Sequence, residues 1–291
     1  MIRFLTPLFT LFALPLMAAD LVLESSFVWS SEAELFGGFS SLEVSKDGRK
    51  FTSTSDRGAI VTGVLLREDG KITGVANAEI QPLLDAKSQP LANYFVDAEG
   101  LAIDGKGRMF ISFEADHRVW RYDAISAKPV KLDTHPGFKD LQNNSGLEAL
   151  AIDAAGTLYT LPERSGEWDR PFPVFRYRNG KWDDALEIPR RDKFLPVGAD
   201  FGPDSWFYLL ERDFAWYAGF SSRIRRFQVT DKGFVNEEIL LTTGFGTHGN
   251  LEGIAVWEND EGGIRLTMIA DDNFSGFLST VIVEYVVVRA E

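Results

Sequence analysis

The chain has no cysteine among its 291 residues. Disulfide staples, thiolate nucleophiles and zinc–thiolate centres are therefore excluded. Histidine is nearly as scarce, with only His117, His135 and His248. His248, in the segment GTHGN shortly before Glu252, is the histidine best placed for acid–base work; its plainer role is that of a loop residue. There is no G-x-S-x-G turn to present a serine nucleophile and no glycine loop to cradle phosphate. Positive charge is in deficit: 30 Lys and Arg face 43 Asp and Glu, a net charge of −13. A nucleic-acid partner needs a basic surface, so that class is excluded. Helical periodicity is nearly absent.

Long apolar runs are missing as well, except at the start. Arg3 is followed by an apolar stretch from Phe4 to Met17 and by the small pair Ala18-Ala19. This is the pattern of an export signal over residues 1–19, and it is short for a membrane span. The expected mature chain is one domain over 20–291, with no membrane span. An exported chain without cysteine points to a bacterial protein, periplasmic or secreted, and a monomer is expected.

What the sequence has in quantity is repetition. The segments DAEGLAID (97–104), GLEALAID (146–153) and NLEGIAVW (250–257) are copies of one pattern, and FSSLEVSK (39–46) and VGADFGPD (197–204) are weaker ones. Aligned on one position they start at Ser40, Glu99, Glu148, Val197 and Glu252, a period near ~50 residues that signals a repeat architecture. Each copy is an apolar strand leading into a glycine turn (KDGR, GKGR, AAGT, FGPDS, NDEGG) and then a second strand, which is a hairpin signal. A third strand and a weaker fourth follow. The pattern predicts an all-β propeller of five blades, each of four antiparallel strands. Six blades are the alternative, if a long insertion such as 74–96 conceals another unit. The last unit lacks one strand, and residues 21–29 are expected to supply it and so close the ring.

Hairpin geometry places the start of each first strand beside the end of each second strand. Glu99 is expected near Glu114 and Asp116, Glu148 near Glu163, and Glu252 near Asp271 and Asp272, with Asp56 and Glu211 ending second strands in the other two units. The innermost strands line the central channel, so one mouth gathers carboxylates together with Arg57, Arg164 and Arg212. Such a mouth suits a hard divalent cation, Ca²⁺ above all, whose ligands are oxygens. It also suits recognition of an anion or ester by the arginines. Ion pairing with no function gathers carboxylates too. Loops 162–173 and 211–222 are expected to overhang this mouth, and Trp168, Trp206, Trp216 and Trp257 to pack between blades.

The stretches GGFSSLEVSKDGRKFTSTSDRG (37–58), DAEGLAID, NNSGLEALAIDAAGTLYTLPE (143–163), LLERDF (209–214) and NLEGIAV with ADDNFS (250–256, 270–275) resemble, in matching order, the phytase-like family named for the esterase-like activity of phytase. The resemblance implies an exported bacterial β-propeller acting on a phosphate or carboxylate ester. The resemblance itself names no catalytic set; read from the residues of the mouth, Glu99, Glu148, Glu252 and Asp272 are the expected ligands of a divalent cation, Arg57, Arg164 and Arg212 are expected to bind the anionic part of a small-molecule substrate, and His248 or Glu163 to move protons. The chain departs from the family at Val197 and Gly198, where an acidic or polar residue is usual, and the histidine phosphatase motif R-H-G-x-R-x-P is absent. The alternative is a non-catalytic propeller that binds a ligand or a partner in the cell envelope.

Overall fold

The computed structural model describes residues 19–289. The first strand, β1 (Ala19–Val28), belongs with the end of the chain. Blade 1 is β2 (Glu43–Val44), β3 (Lys50–Ser55), β4 (Ala59–Glu68) and β5 (Lys71–Pro82). Blade 2 is β6 (Ala98–Ile103), β7 (Met109–Phe113), β8 (Arg118–Tyr122) and β9 (Val130–Lys131). Blade 3 is β10 (Leu147–Ile152), β11 (Leu158–Pro162), β12 (Phe172–Arg178) and β13 (Lys181–Ile188). Blade 4 is β14 (Leu195–Phe201), β15 (Trp206–Ala215), β16 (Gly219–Thr230) and β17 (Gly233–Thr242). Blade 5 is β18 (Asn250–Glu258), β19 (Ile264–Asp271) and β20 (Val281–Arg289), with β1 as its outer strand.

The propeller therefore has five blades. Residues 74–96 hold no sixth: they comprise most of β5 and a loop with one 3₁₀ turn, Asn93–Phe95. The ring closes as expected, because β1 runs antiparallel to β20 from Ala19 opposite Arg289 to Val28 opposite Val281. The expected signal segment lies outside the described residues except for Ala19, which opens β1. Among the described residues, no helix is long and apolar enough to cross a membrane.

Local chemistry explains the repeated hairpins. An Asp or Asn opens the turn and accepts backbone N–H bonds from two to four residues ahead: Asp104 from Lys106 and Arg108, Asp153 from Ala155 and Thr157, Asn259 from Glu261 and Gly263. A residue with positive φ then reverses the chain. This is Gly107, Gly156 and Gly262 in three blades, whereas Ser205 itself adopts φ 65° in blade 4.

There is no single core. Five apolar clusters each lie between neighbouring blades. One joins Phe172 and Val174 of blade 3 to Phe207 and Phe227 of blade 4; all four are buried, and each such side chain contributes about 1.5–3 kcal/mol. Trp257 is buried and Trp206 partly so, as expected, but Trp168 and Trp216 are 73% and 86% exposed. They stand on the overhanging segments: Trp168 on the loop after β11, and Trp216 at the tip of the long β15–β16 hairpin, which replaces the expected loop at 211–222.

Candidate functional site at the channel mouth

The residues marked by the repeat fall on bulges. Pairing between β10 and β11 slips between Leu147 and Ala149, leaving Glu148 as the extra residue. The same slip leaves Val197 in β14 and Glu252 in β18. In β6 it spans Glu99 and Gly100. A bulge redirects its extra side chain, here toward the axis. Neighbouring innermost strands approach closely at this level. A Cβ on Gly100, Gly198 or Gly253 would collide with the next blade, at Leu150 and Glu148, at Glu252, and at Ser41 and Leu42 respectively.

The register also fixes the second-strand partners. Leu147 lies opposite Pro162, Pro196 opposite Glu211, Leu251 opposite Ala270, Ala98 opposite Phe113 and Phe39 opposite Ser55. The next residue in each blade therefore occupies an equivalent place: Asp56, Glu114, Glu163, Arg212 and Asp271. The inner set is Ser40, Glu99, Glu148, Val197 and Glu252. Four blades supply acid to the outer set, and blade 4 supplies a cation. Glu211, expected at the mouth from its place in LLERD, faces the other way, into blade 4. In blade 5 the equivalent place belongs to Asp271 and not to Asp272.

Arg212 bridges the gap in the ring. Its guanidinium donates to Glu163 at 3.0 Å, to Asn250 Oδ1 at 2.8 Å, and to Glu252. Asn250 Nδ2 donates to Glu252 at 2.9 Å. Burial works against the Arg212 charge, but Glu252, Glu163 and Glu148 outweigh it and hold the guanidinium protonated more firmly than usual. Among the described residues no arginine hydrogen-bonds the acids that blade 2 brings to the mouth; Arg118, paired with Asp116, only pulls Asp97 back through its charge. There the carboxylate oxygens of Asp97, Glu99 and Glu114 lie within 4.8 Å of one another. Glu114 accepts the Gly146 N–H at 2.9 Å and hydrogen-bonds Glu148.

Electrostatics follow from this geometry. Burial lifts Glu99 and Glu148 well above the carboxylate range, and the surrounding acids lift them further. Burial, then Asp97 and Glu252, raises Asp56 to about 7. Burial, then Glu252, raises Asp271 to about 8. Glu252 is raised by burial even though Arg212 and Asn250 pull it back. On the axis, residues of all five blades, Gly100, Leu150 and Gly253 among them, leave a space of only about 10 Å³, near the lower limit for one water. Between blades 1 and 2, a cavity of about 310 Å³ is lined by Asp56, Arg57, Tyr94, Asp97 and Phe274.

The structure thus brings Glu99, Glu148, Glu252, Glu163 and Arg212 together. Asp272 stands at the margin, accepting the N–H groups of Gly38 at 3.2 Å and Phe274 at 3.0 Å. The Arg57 guanidinium carbon sits over the Phe274 ring, 3.2 Å from its centroid. Arg164 is exposed and touches the ring only through Glu163, at 3.4 Å. His248 Nε2 bonds Tyr285 Oη at 2.6 Å, and burial alone lowers its basicity, with no contribution from the acids of the ring. Asp97, the first letter of DAEGLAID, is the ligand-type residue that sequence reasoning passed over, although its place in the repeat offered the signal. Three residues beyond the inner set, Glu43 and Asp200 form a second acidic pair. Glu43 accepts Ile103 N–H at 2.9 Å and Asp200 accepts Val256 N–H at 2.6 Å, so each clasps the next blade.

Comparison with known proteins agrees with the fold. An α-L-arabinofuranosidase from Podospora anserina, solved with cellotriose, superposes with a TM-score of 0.55 at 10% identity, over 91% of this chain and 96% of that one. The catalytic domain of an α-L-arabinofuranosidase from Coprinopsis cinerea gives 0.55 at 9% identity, over 93% and 97%. A protein of unknown function from Dyadobacter fermentans gives 0.50 at 11% identity, over 93% and 100%. Identities this low establish architecture alone. No curated protein matches the chain significantly. The family model for phytase-like proteins, described as esterase-like activity of phytase, matches residues 34–274, a span that contains every residue of both ring sets, and the chain belongs to that family.

Proposed function

We propose that this protein is a divalent-cation-dependent hydrolase of a small phosphate or carboxylate ester, acting at the acidic mouth. The observation that carries the reading is a ring of mostly buried carboxylates in which, among the described residues, the one arginine hydrogen-bonded to ring acids, Arg212, serves one side. Asp97, Glu99 and Glu114 fit a hard cation: all are oxygen donors, their spacing suits a shared ion, and Ca²⁺ is favoured because it accepts several carboxylates in irregular geometry. Once bound there, the ion supplies Lewis-acid polarisation of the ester and charge for an anionic group.

The chain's own residues supply the rest. Glu163, held by Arg212 and Arg164, is oriented to accept a proton from water. Glu148 is raised above its ordinary range and hydrogen-bonds Glu114, so it carries a proton for the leaving oxygen, and the two carboxyl groups divide the acid and base roles. The narrow axial space, about 10 Å³, is too small for a substrate and keeps it at the mouth. His248, committed to Tyr285, has no part in this scheme. The same reading has the mature chain working as a monomer, periplasmic or secreted.

Melting in EDTA and then with Ca²⁺, paired with hydrolysis of p-nitrophenyl phosphate and p-nitrophenyl acetate, tests it. A higher Tm with the ion, and turnover that Glu148→Gln removes, is the expected result. A Tm indifferent to cations ends the metal role. Stabilisation without turnover of either ester leaves the binding-propeller alternative.

A further inference from the structure

Beside the ring, between the loop after β11 and the end of β13, a cavity of about 190 Å³ is lined by Arg164, Arg190, Trp168 and Gln142. From this cavity we infer an oxyanion subsite, in which the Arg164 and Arg190 guanidinium groups hold a phosphate or carboxylate of the substrate next to Glu163, while Trp168 offers a flat apolar wall. The inference deepens the hydrolase reading and rests on it for the identity of the ligand as substrate.

The charge balance singles out this pair. Of the described arginine side chains only Arg49, Arg57 and Arg190 take part in no ion pair. Arg190 is half-buried, stacked 4.7 Å over Trp168 and 5.2 Å over Phe172. Its Nη1 reaches only Ser165 Oγ and the Glu167 carbonyl, both at 3.4 Å, and its buried Nε has no partner. Burial and then the positive charge of Arg164 lower its basicity. The one carboxylate on the cavity wall, Glu167, is taken by Arg170. Arg164 is 54% exposed, and its single contact, to Glu163, is long at 3.4 Å. Two facing guanidinium groups with unused donors repel each other until an anion lies between them, and an oxyanion accepts from both as charge-assisted bonds. In a protein of net charge −13, a cationic pair that Glu163 only partly neutralises gives an anionic ester its orientation: oxyanion toward blade 3, scissile bond toward Glu148 and Glu114.

The probe is inorganic phosphate, titrated by calorimetry into the full mature chain in EDTA, which removes any cation from the ring. The wild type is expected to bind, and Arg164→Gln and Arg190→Gln each to weaken binding by about tenfold or more, the loss of one charge-assisted pair. Arg190 also packs on aromatics, so the exposed Arg164→Gln serves as the variant that leaves the fold intact, and an unchanged Tm verifies this. If an ester is turned over, both variants raise KM. Phosphate that binds only when a divalent cation is present, or binds the Arg164→Gln variant as tightly as the wild type, overturns the subsite. Neither result depends on turnover, so failure here is distinguishable from failure of the hydrolase reading.

Discussion

Glu148 and Glu211 are both buried glutamates at the centre of neighbouring blades, yet they live in opposite electrostatic worlds. Glu211 is fully buried, with Arg223 Nε at 2.7 Å and Arg225 Nε at 2.8 Å on one oxygen and Arg225 Nη2 at 2.6 Å on the other. Glu284 is similar: Arg67, Arg265 and Thr267 saturate it within 2.8 Å. Glu148 has Glu99, Glu114 and Glu163 for neighbours. Burial of an acid therefore says little about its role. A buried acid whose neighbours share its sign is maintained against a penalty, and that is the mark of a site awaiting a cation or proton chemistry.

Exchanging the two glutamates' fates is the most direct way to break this comparison. Glu148→Gln is expected to lower turnover of the hydrolysed ester by at least about 100-fold while leaving apo stability unchanged or higher, since a neutral amide replaces a carboxyl whose ionisation its neighbours oppose; steady-state kinetics and calorimetric melting read both. Glu211→Gln should do the reverse. It takes the shared buried carboxylate from two buried guanidinium groups, leaving Arg223 only Asp192 and Arg225 only Glu237 as acidic partners, a loss of about 3–5 kcal/mol or a Tm drop on the order of 10 °C, with activity per folded molecule retained. A Glu211→Gln protein that melts normally would dissolve the distinction.

The pH response sharpens it further. Carboxyls raised in the folded state bind more protons than the unfolded chain does, so their contribution is fully present below the unfolded values and disappears as pH climbs through the folded ones. With Asp56 at about 7 and Asp271 at about 8, the Tm of the cation-free protein is expected to fall by a few degrees between pH 5 and 8. Added Ca²⁺ should flatten that slope and bind more tightly as pH rises, because protons must leave first. A Tm rising over this window in EDTA would show that the ring is compensated after all. The smallest effect is steric. Gly198→Ala pushes a methyl into the Glu252 backbone and should reduce stability by about 1–3 kcal/mol, measured by urea unfolding.

Much of this was legible in residues alone. The alternation in RVWRYD, the Asp–Gly turns and the spacing of the LEG-type segments encode blades, because hairpins form from neighbours in sequence. The strand joining the two ends was legible too, since a blade one strand short needs another. Residues Glu99, Glu148 and Glu252 were picked out by repetition. Glu211 and Arg212 were not separable by such reasoning: in LLERD either aligns with the PE of LPERS, and only the slip between Pro196 and Gly198 turns Arg212 to the mouth. Trp168 and Trp216 misled for a different reason, because an aromatic side chain is the usual material of an interface between blades and nothing local reveals that its loop projects outward. Arg190 was invisible, since its partners, Arg164 and Trp168, come to it across blade 3.

The sequence determined by itself the five-fold plan, the closure of the ring and the acidic character of its mouth, because each follows from short-range pattern and composition. The tertiary structure alone decided which acids are neutralised and which are not. In a strand a shift of one residue sends a side chain to the opposite face, and a counter-ion can arrive from anywhere in the chain, as Arg67 does at Glu284 and Arg212 at Glu163.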